Sequence, residues 1–395
     1  MGWFRQTIAV TLLNLRTIPQ RFASSAVGLV GVAGVVVVFV AVLSIGEGFK
    51  ATMQQAGSPV RALVMRSGAD SEMTSGILGT DADTIKEAPG ILRDTNHAVA
   101  AAELFVIIDV AKKSSGTVAN VPLRGIEPAS IQVRDEFKVV DGRMLQFGTN
   151  EAIVGRAASG QFQHFDVGSE VTSGQLTLKV VGVFTTNGAA SESEIWCDGR
   201  VLQGAYRRGN SYQSVLVRME SASSFTGLKD WLTTNPQLNV QVQRETDYYA
   251  AQSIALTNLI TYLGYGIAGL MGLGAVFGAI LTMYTAVATR SREIATLRAL
   301  GFNVFSVLIS VLGESLALAA IGGVIGGFAA YIGFNGYQTS TMNFQTFSQV
   351  AFAFRVTPSL LTRGLVYALL MGLIGGLFPA IRAARLPISV ALREL

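Results

Sequence analysis

Cysteine, histidine and charge are scarce in this chain, and each shortage excludes something. Cys197 is the single cysteine in 395 residues, so no intrachain disulfide can form, and core packing is the reading for its thiol. His97 and His164 are the only histidines and stand far apart, so no metal cluster is expected and both read as surface residues. Charged residues make up 14% of the chain, where a soluble globular chain carries about 25%. No run of lysine or arginine suggests nucleic acid, and the net charge of +4 suits the basic flanks of membrane helices. Motifs for chemistry are missing as well: there is no GxxxxGK(S/T), no HExxH and no GxSxG. The chain is therefore not expected to be an enzyme, to hold a metal or to bind a cofactor of its own.

The charge deficit is unevenly spread. Residues 46–252 have the composition of an ordinary soluble domain, while charge-poor stretches gather at the two ends. A helix needs roughly 20 apolar residues to cross the hydrocarbon layer, because no water is there to satisfy an exposed backbone. Four stretches meet that test: 25–45, with VVVVFVAV at its centre, 258–288, 304–334 and 359–381. The second and third are longer than a span needs, so they are expected to tilt or to project as stalks and act as lever arms. The first reads as an uncleaved signal anchor. Gly46-Glu47-Gly48 follows it in place of a small-x-small cleavage site, and its apolar run is about twice the usual h-region of a signal peptide. The leader over 1–24 mixes Trp3 and Phe4 with Arg5 and Gln6, as an interfacial helix would.

Orientation follows from the arginines of the short segments. Arg5, Arg16 and Arg21 precede the first span, Arg290, Arg292 and Arg298 lie between the second and third, and Arg382, Arg385 and Arg393 follow the fourth. The loop 335–358 has only Arg355. Both termini, the loop 289–303 and the tail 382–395 are therefore expected in the cytoplasm, with residues 46–257 outside. The outer domain reads as mixed α/β, with β-rich runs at 61–65, 98–108, 118–124, 176–184, 214–219 and 240–244. Helices are expected from Thr80-Asp81 to Pro89 and over 223–233. An all-β middle, about 124–209, separates two strand–helix–strand units, so two subdomains are expected. Asp81, Asp83, Glu192 and Glu194 fall in turn or cap contexts and read as solvated.

Gly264-Tyr-Gly-Ile-Ala-Gly269 matches the dinucleotide fingerprint only in spacing. It lies inside an apolar helix with no strand before it, so helix packing explains it better. The same holds for the pairs Gly274/Gly278, Gly322/Gly326, Gly323/Gly327 and Gly372/Gly376, within the chain or between chains. Glu314 lies about two and a half turns into the third span, where a carboxylate must face protein or sit at the headgroups and pair with a loop arginine. In the loop before it, Ile294, Leu297 and Leu300-Gly301 recur at helical spacing beside Arg290, Glu293 and Arg298, as in a short amphipathic surface helix.

Arg292–Phe302 (REIATLRALGF), the acid Glu314 in the next span, Phe378-Pro379-Ala380-Ile-Arg-Ala-Ala-Arg385 and Ala391-Leu-Arg393 resemble the MacB/FtsX superfamily of ABC-transporter permeases. Asn14-Leu-Arg16 and Ser44-Ile-Gly-Glu-Gly48 around the first span resemble it too. So do Leu123-Arg-Gly-Ile126, Asp141-Gly-Arg143, Ala152-Ile-Val-Gly155 and Val180-Val-Gly-Val183 in the outer domain. The resemblance implies a permease of the bacterial inner membrane that pairs with a second permease subunit and docks separate ATPase subunits, which would bind ATP and Mg. Its coupling helix would be the 290–301 segment, with Arg290, Arg292, Glu293, Arg298 and Gly301 as coupling residues. Motion would pass along spans one and two to the outer domain, and a periplasmic adaptor would join in efflux or export. Lipoprotein release and FtsX-like control of a cell-wall hydrolase are the alternatives. Unlike MacB, the sequence shows no fused ATPase, and Ala56-Gly-Ser-Pro59 stands where many members have Leu-Gly-x-Asn.

Overall fold

A computed structural model describes residues 22–95 and 97–387, together with Thr7 and Thr11. The interfacial segment expected over 1–24 thus lies almost wholly outside the described residues, as does the end of the tail. Four described helices are long and apolar enough to cross a membrane: α1 (Phe22–Ala56), α7 (Glu245–Thr289), α9 (Val304–Phe334) and α10 (Pro358–Ala384). The β-branched valines of α1 are mediocre helix formers in water. In hydrocarbon the helix is nonetheless enforced, because every backbone group must bond within its own segment. Thr357 caps α10, its hydroxyl accepting from Leu360 N at 3.2 Å, and Pro358 takes the first helical position, where no N–H is missed.

The chain divides into two compact units. One gathers the membrane helices, from 259 to Tyr337 and from Phe354 onward, with the chain before Gly48. The other comprises Gly48–Asn258 and Gln338–Ala353. The last turns of α1 and the first fourteen residues of α7 thus belong to the outer unit, whereas α9 lies wholly in the helical one. This corrects the expectation of lever arms: the helices that run into the outer unit are the first and second, not the second and third. The segment between α9 and α10 is also more than a connection. It forms an antiparallel hairpin, Gln338–Met342 with Gln349–Ala353, built into the outer unit. Asn343 Nδ2 donates to Gln252 Oε1 at 2.6 Å, Ser193 Oγ accepts from Ala351 N at 2.8 Å, and Phe352 meets Phe49 edge to face.

Ten strands form one sheet in the outer unit: β1 (Arg61–Arg66), β2 (Ala100–Ala111), β3 (Val118–Ile126), β4 (Lys138–Gly142), β5 (Glu151–Gly155), β6 (Glu170–Ser173), β7 (Leu176–Thr185), β8 (Ile195–Asp198), β9 (Ser214–Arg218) and β10 (Val240–Arg244). Their order is β10-β1-β9-β2-β3-β8-β5-β7-β4, with β6 paired to β7. Strand β2 serves two lobes. Residues up to Glu103 pair with β9, and from Leu104 onward the strand pairs with β3. The outer lobe packs helices α2 (Gly79–Lys86) and α6 (Phe225–Thr234) on a core that includes Val64, Ile85, Val217, Leu228 and Val242. The middle lobe buries Leu104, Leu123, Val154, Phe162, Val180 and Ile195, with Cys197 among them as expected. It is not all-β: α3 (Pro128–Val133), α4 (Arg156–Gln161) and α5 (Gly199–Ala205) interrupt it.

At the point where β2 changes partners lies a buried charge network. Arg124 of β3 donates to Glu72 at 2.8 Å, to Glu103 at 2.9 Å and to Glu194 at 2.7 Å, and Arg134 grips Glu103 at 2.5 and 2.8 Å. Trp196 Nε1 and Ser214 Oγ supply further donors to Glu194 and Glu72. Glu194 and Glu192 are therefore buried rather than solvated, which corrects the sequence reading. Glu192 instead holds the turn after β7, accepting from Thr186 N and Gly188 N at 2.8 Å. Burial pushes the Glu103 carboxyl up, but the opposing pull of Arg134 and then Arg124 prevails and holds it at about 2. Glu245, at the start of α7, goes the other way, because burial outweighs its Arg61 partner. It also accepts from Ser58 N, and at Gly57 any Cβ would lie 2.7 Å from the Thr246 backbone. The Ala56-Gly-Ser-Pro59 segment thus brings the end of α1 against the start of α7, and only glycine permits that approach.

Candidate functional site

At one end of the helical unit, α8 (Ser291–Ala299) joins α7 to α9. Arg290 stands just before it and, rather than facing outward, is 6% exposed. Its Nη1 donates to Glu314 Oε2 at 3.0 Å and its Nε to Glu293 Oε2 at 3.1 Å. Glu314 is 4% exposed, so this acid of α9 is buried and paired with the loop arginine. Removing one member of such a pair strands a charge in a low-dielectric site, at a cost of about 3–5 kcal/mol. Arg298 turns inward as well: its Nη1 donates to the carbonyls of Ala384 at 3.0 Å and Leu386 at 2.9 Å, satisfying acceptors that the end of α10 leaves open. Ile294 and Ala295 are buried, Ile294 among Met283, Val287, Val307, Val311 and Ala380.

Gly301 ends the helix with φ +91°, a left-handed conformation that reverses the chain toward α9 and is strained for any other residue. Asn303 then caps α9, its side chain accepting from Phe305 N at 3.2 Å. Of the five expected coupling residues, Arg290, Arg298 and Gly301 therefore build the joint, and Arg292 and Glu293 remain on its exposed side with Thr296 and Leu300. Between α7, α8 and α9 lies a cavity of about 310 Å³, apolar except for Arg290, Glu293, Thr296 and Glu314.

The glycine pairs divide in the same way. A Cβ on Gly326 would lie 2.5 Å from Ala33 O, and one on Gly322 would lie 3.0 Å from Leu29 O, so this pair seats α9 on α1. Gly372 and Gly376 of α10 face Ala319 and Ser315 of α9, while Gly323 meets Ala368. Gly274 and Gly278 have nothing within 4 Å, so among the described residues this pair packs against nothing within the chain. Two polar ties were missed by sequence reasoning: Ser315 Oγ donates to Gly372 O at 2.6 Å, and Tyr367 Oη to Ala268 O at 2.5 Å. An isolated Ser or Tyr in an apolar run was the only signal for either.

Four apolar helices, with a two-lobed α/β domain between the first and second, define a multi-pass membrane protein of permease type. The chain belongs to the MacB/FtsX superfamily: the MacB-like periplasmic core domain model matches residues 25–235, and the FtsX-like permease C-terminal model matches residues 265–388. It is 23% identical, over 92% of its length, to a macrolide export ATP-binding/permease protein MacB of Bdellovibrio bacteriovorus, and 25% identical over 98% to one of Azoarcus sp.. It spans 58% and 59% of those relatives' lengths. Among solved structures, the periplasmic region of MacB from Actinobacillus actinomycetemcomitans matches 49% of the chain and 92% of that structure, at 13% identity and a TM-score of 0.37. The extracellular domain of the transporter YknZ from Gram-positive bacteria matches 46% of the chain and 99% of that structure, at 19% identity and 0.35.

Proposed function

We propose that this chain is the permease part of an ABC transporter of the bacterial inner membrane. In this reading an ABC ATPase lying outside these 395 residues binds ATP and Mg and pushes on α8, and the outer domain moves in response. The observation that carries the reading is the mounting of α8. A buried ion pair ties it to α9, Arg298 ties it to the end of α10, and it follows directly on α7. A force applied to its exposed face would therefore be shared by three membrane helices at once. Arg292, Glu293 and Leu300 are the contact residues of this reading, while Arg290, Arg298 and Gly301 position the helix. The arginine distribution supports a cytoplasmic location for α8 and both termini. Motion would reach the outer domain through α1 and α7, with a second permease copy and a periplasmic adaptor completing an efflux or export assembly.

The test is copurification of the membrane-extracted chain with an ABC ATPase, followed by activity of the reconstituted complex. Reversing the exposed charge with R292E is expected to lower coupled ATPase activity by about tenfold while leaving the melting temperature in place. If no ATPase copurifies, or the reversed variant couples as well as the parent, the reading fails.

A further inference from the structure

Beside the α8 joint, the ends of α7 and α10 enclose a second, open groove of about 510 Å³. Its walls are Tyr284, Phe378, Ile381, Arg382, Arg385 and Leu386. Higher up, the two helices touch closely: a Cβ on Gly375 would lie 2.7 Å from that of Ala279. The groove opens where larger side chains, Tyr284 and Phe378, take the place of that contact. Arg382 lies over the Tyr284 ring, its guanidinium carbon 5.4 Å from the centroid. This fixes one cation at the lip. Arg385 follows one turn later. Both arginines are exposed, neither forms an ion pair among the described residues, and no acid lines the groove.

The surface leading down to these arginines is apolar. Phe277 and Leu281 of α7, with Leu373, Ile374, Leu377 and Phe378 of α10, are all exposed large hydrophobic side chains. On membrane-crossing helices such a band faces acyl chains, and the residues at its end meet the headgroups. The geometry points to a binding site for one anionic phospholipid, its phosphate held between Arg382 and Arg385 and its chains lying along the exposed faces of α7 and α10. Charge complementarity selects the anionic headgroup, and the adjoining apolar band selects a lipid over a free anion. A lipid held there would also brace Leu386, whose carbonyl Arg298 already holds. The assignment does not depend on the coupling role of α8.

The test uses the purified full chain in a neutral detergent, with native mass spectrometry and thermal melting as readouts. Dioleoyl phosphatidylglycerol is expected to stay bound and raise the melting temperature, while dioleoyl phosphatidylcholine and millimolar inorganic phosphate do neither. R382Q/R385Q is expected to bind phosphatidylglycerol about tenfold more weakly or worse. R363Q, at the opposite end of α10, is expected to match the parent. Equal retention by the R382Q/R385Q variant, equal binding of phosphatidylcholine, or an equal effect of phosphate alone each overturns the assignment. Should the double variant fail to fold, a photoactivatable phosphatidylglycerol crosslinked to the unmodified chain decides the matter. Labels within 378–387 support the site, and labels only elsewhere overturn it.

Discussion

Arg290 and Glu314 lie twenty-four positions apart, and their meeting turns a costly buried acid into part of the α8 joint. Either partner alone is a liability, because the survivor keeps its desolvation cost without compensation. E314A is therefore expected to lower the melting temperature sharply, and R290A to do the same. The double variant R290A/E314A should recover much of the loss, since no charge is then left behind. A double-mutant cycle with purely additive losses contradicts the pairing.

Glu103 gives a prediction of opposite character, read from pH. Its carboxyl is held at about 2 in the folded outer domain against an ordinary 4.5. The folded state thus binds fewer protons than the unfolded one between these values. The associated stability, roughly 3 kcal/mol for a fully buried group, is complete above pH 4.5 and drains away as pH falls toward 2. E103Q should melt lower at pH 7, because Arg134 and Arg124 lose the charge of a shared carboxylate, and should show a shallower decline of melting temperature from pH 5 to pH 3. An unchanged acid slope would mean that Glu103 is not a source of the acid sensitivity.

Among the helices, glycine decides how close neighbours come. A side chain at Gly326 would collide with the α1 backbone at Ala33, and one at Gly372 with α9 at Ala319. G326L and G372V are expected to cost at least about 2 kcal/mol each through overpacking. G274A meets open space and should leave the stability of the isolated chain within about 0.5 kcal/mol, measured by thermal melting in detergent. A large loss at Gly274, with none at Gly326, contradicts this division of the helix faces. The membrane helices were legible in the sequence because hydropathy is a local property, carried by runs such as Val35–Val38. Strand β10 was legible for a similar reason, its alternation of buried and half-buried residues being visible in Val240–Arg244. β4 was not: four of its five residues are exposed, and its partner in the sheet is β7, some forty positions later. The packing partners of the glycines were likewise invisible, since spacing reveals a small face but not what covers it.

For the molecule as a whole, the sequence pattern located the outer domain and its two lobes but not what joins them. Glu194 was misread because Ser-Glu-Ser-Glu resembles a solvated turn, and the arginine that buries it lies seventy positions earlier. The α8 joint was half legible. Its helix and its arginines were found, yet which arginines face inward depends on the end of α10 and the middle of α9. The hairpin Gln338–Ala353 was overlooked because its strands are short, and its partners, Gln252, Ser193 and Phe49, are scattered over two hundred residues.

That hairpin has a consequence for how the gene can be cut. The outer unit is contiguous in space but not in sequence, so a fragment taken from 48 to 258 is a domain with a piece missing. It would leave Phe49 without its aromatic neighbour, and the Gln252 amide and the Ser193 hydroxyl without the partners that residues 343 and 351 supply. A faithful soluble version must carry the sixteen residues from 338 to 353 on a linker, as a graft from elsewhere in the chain.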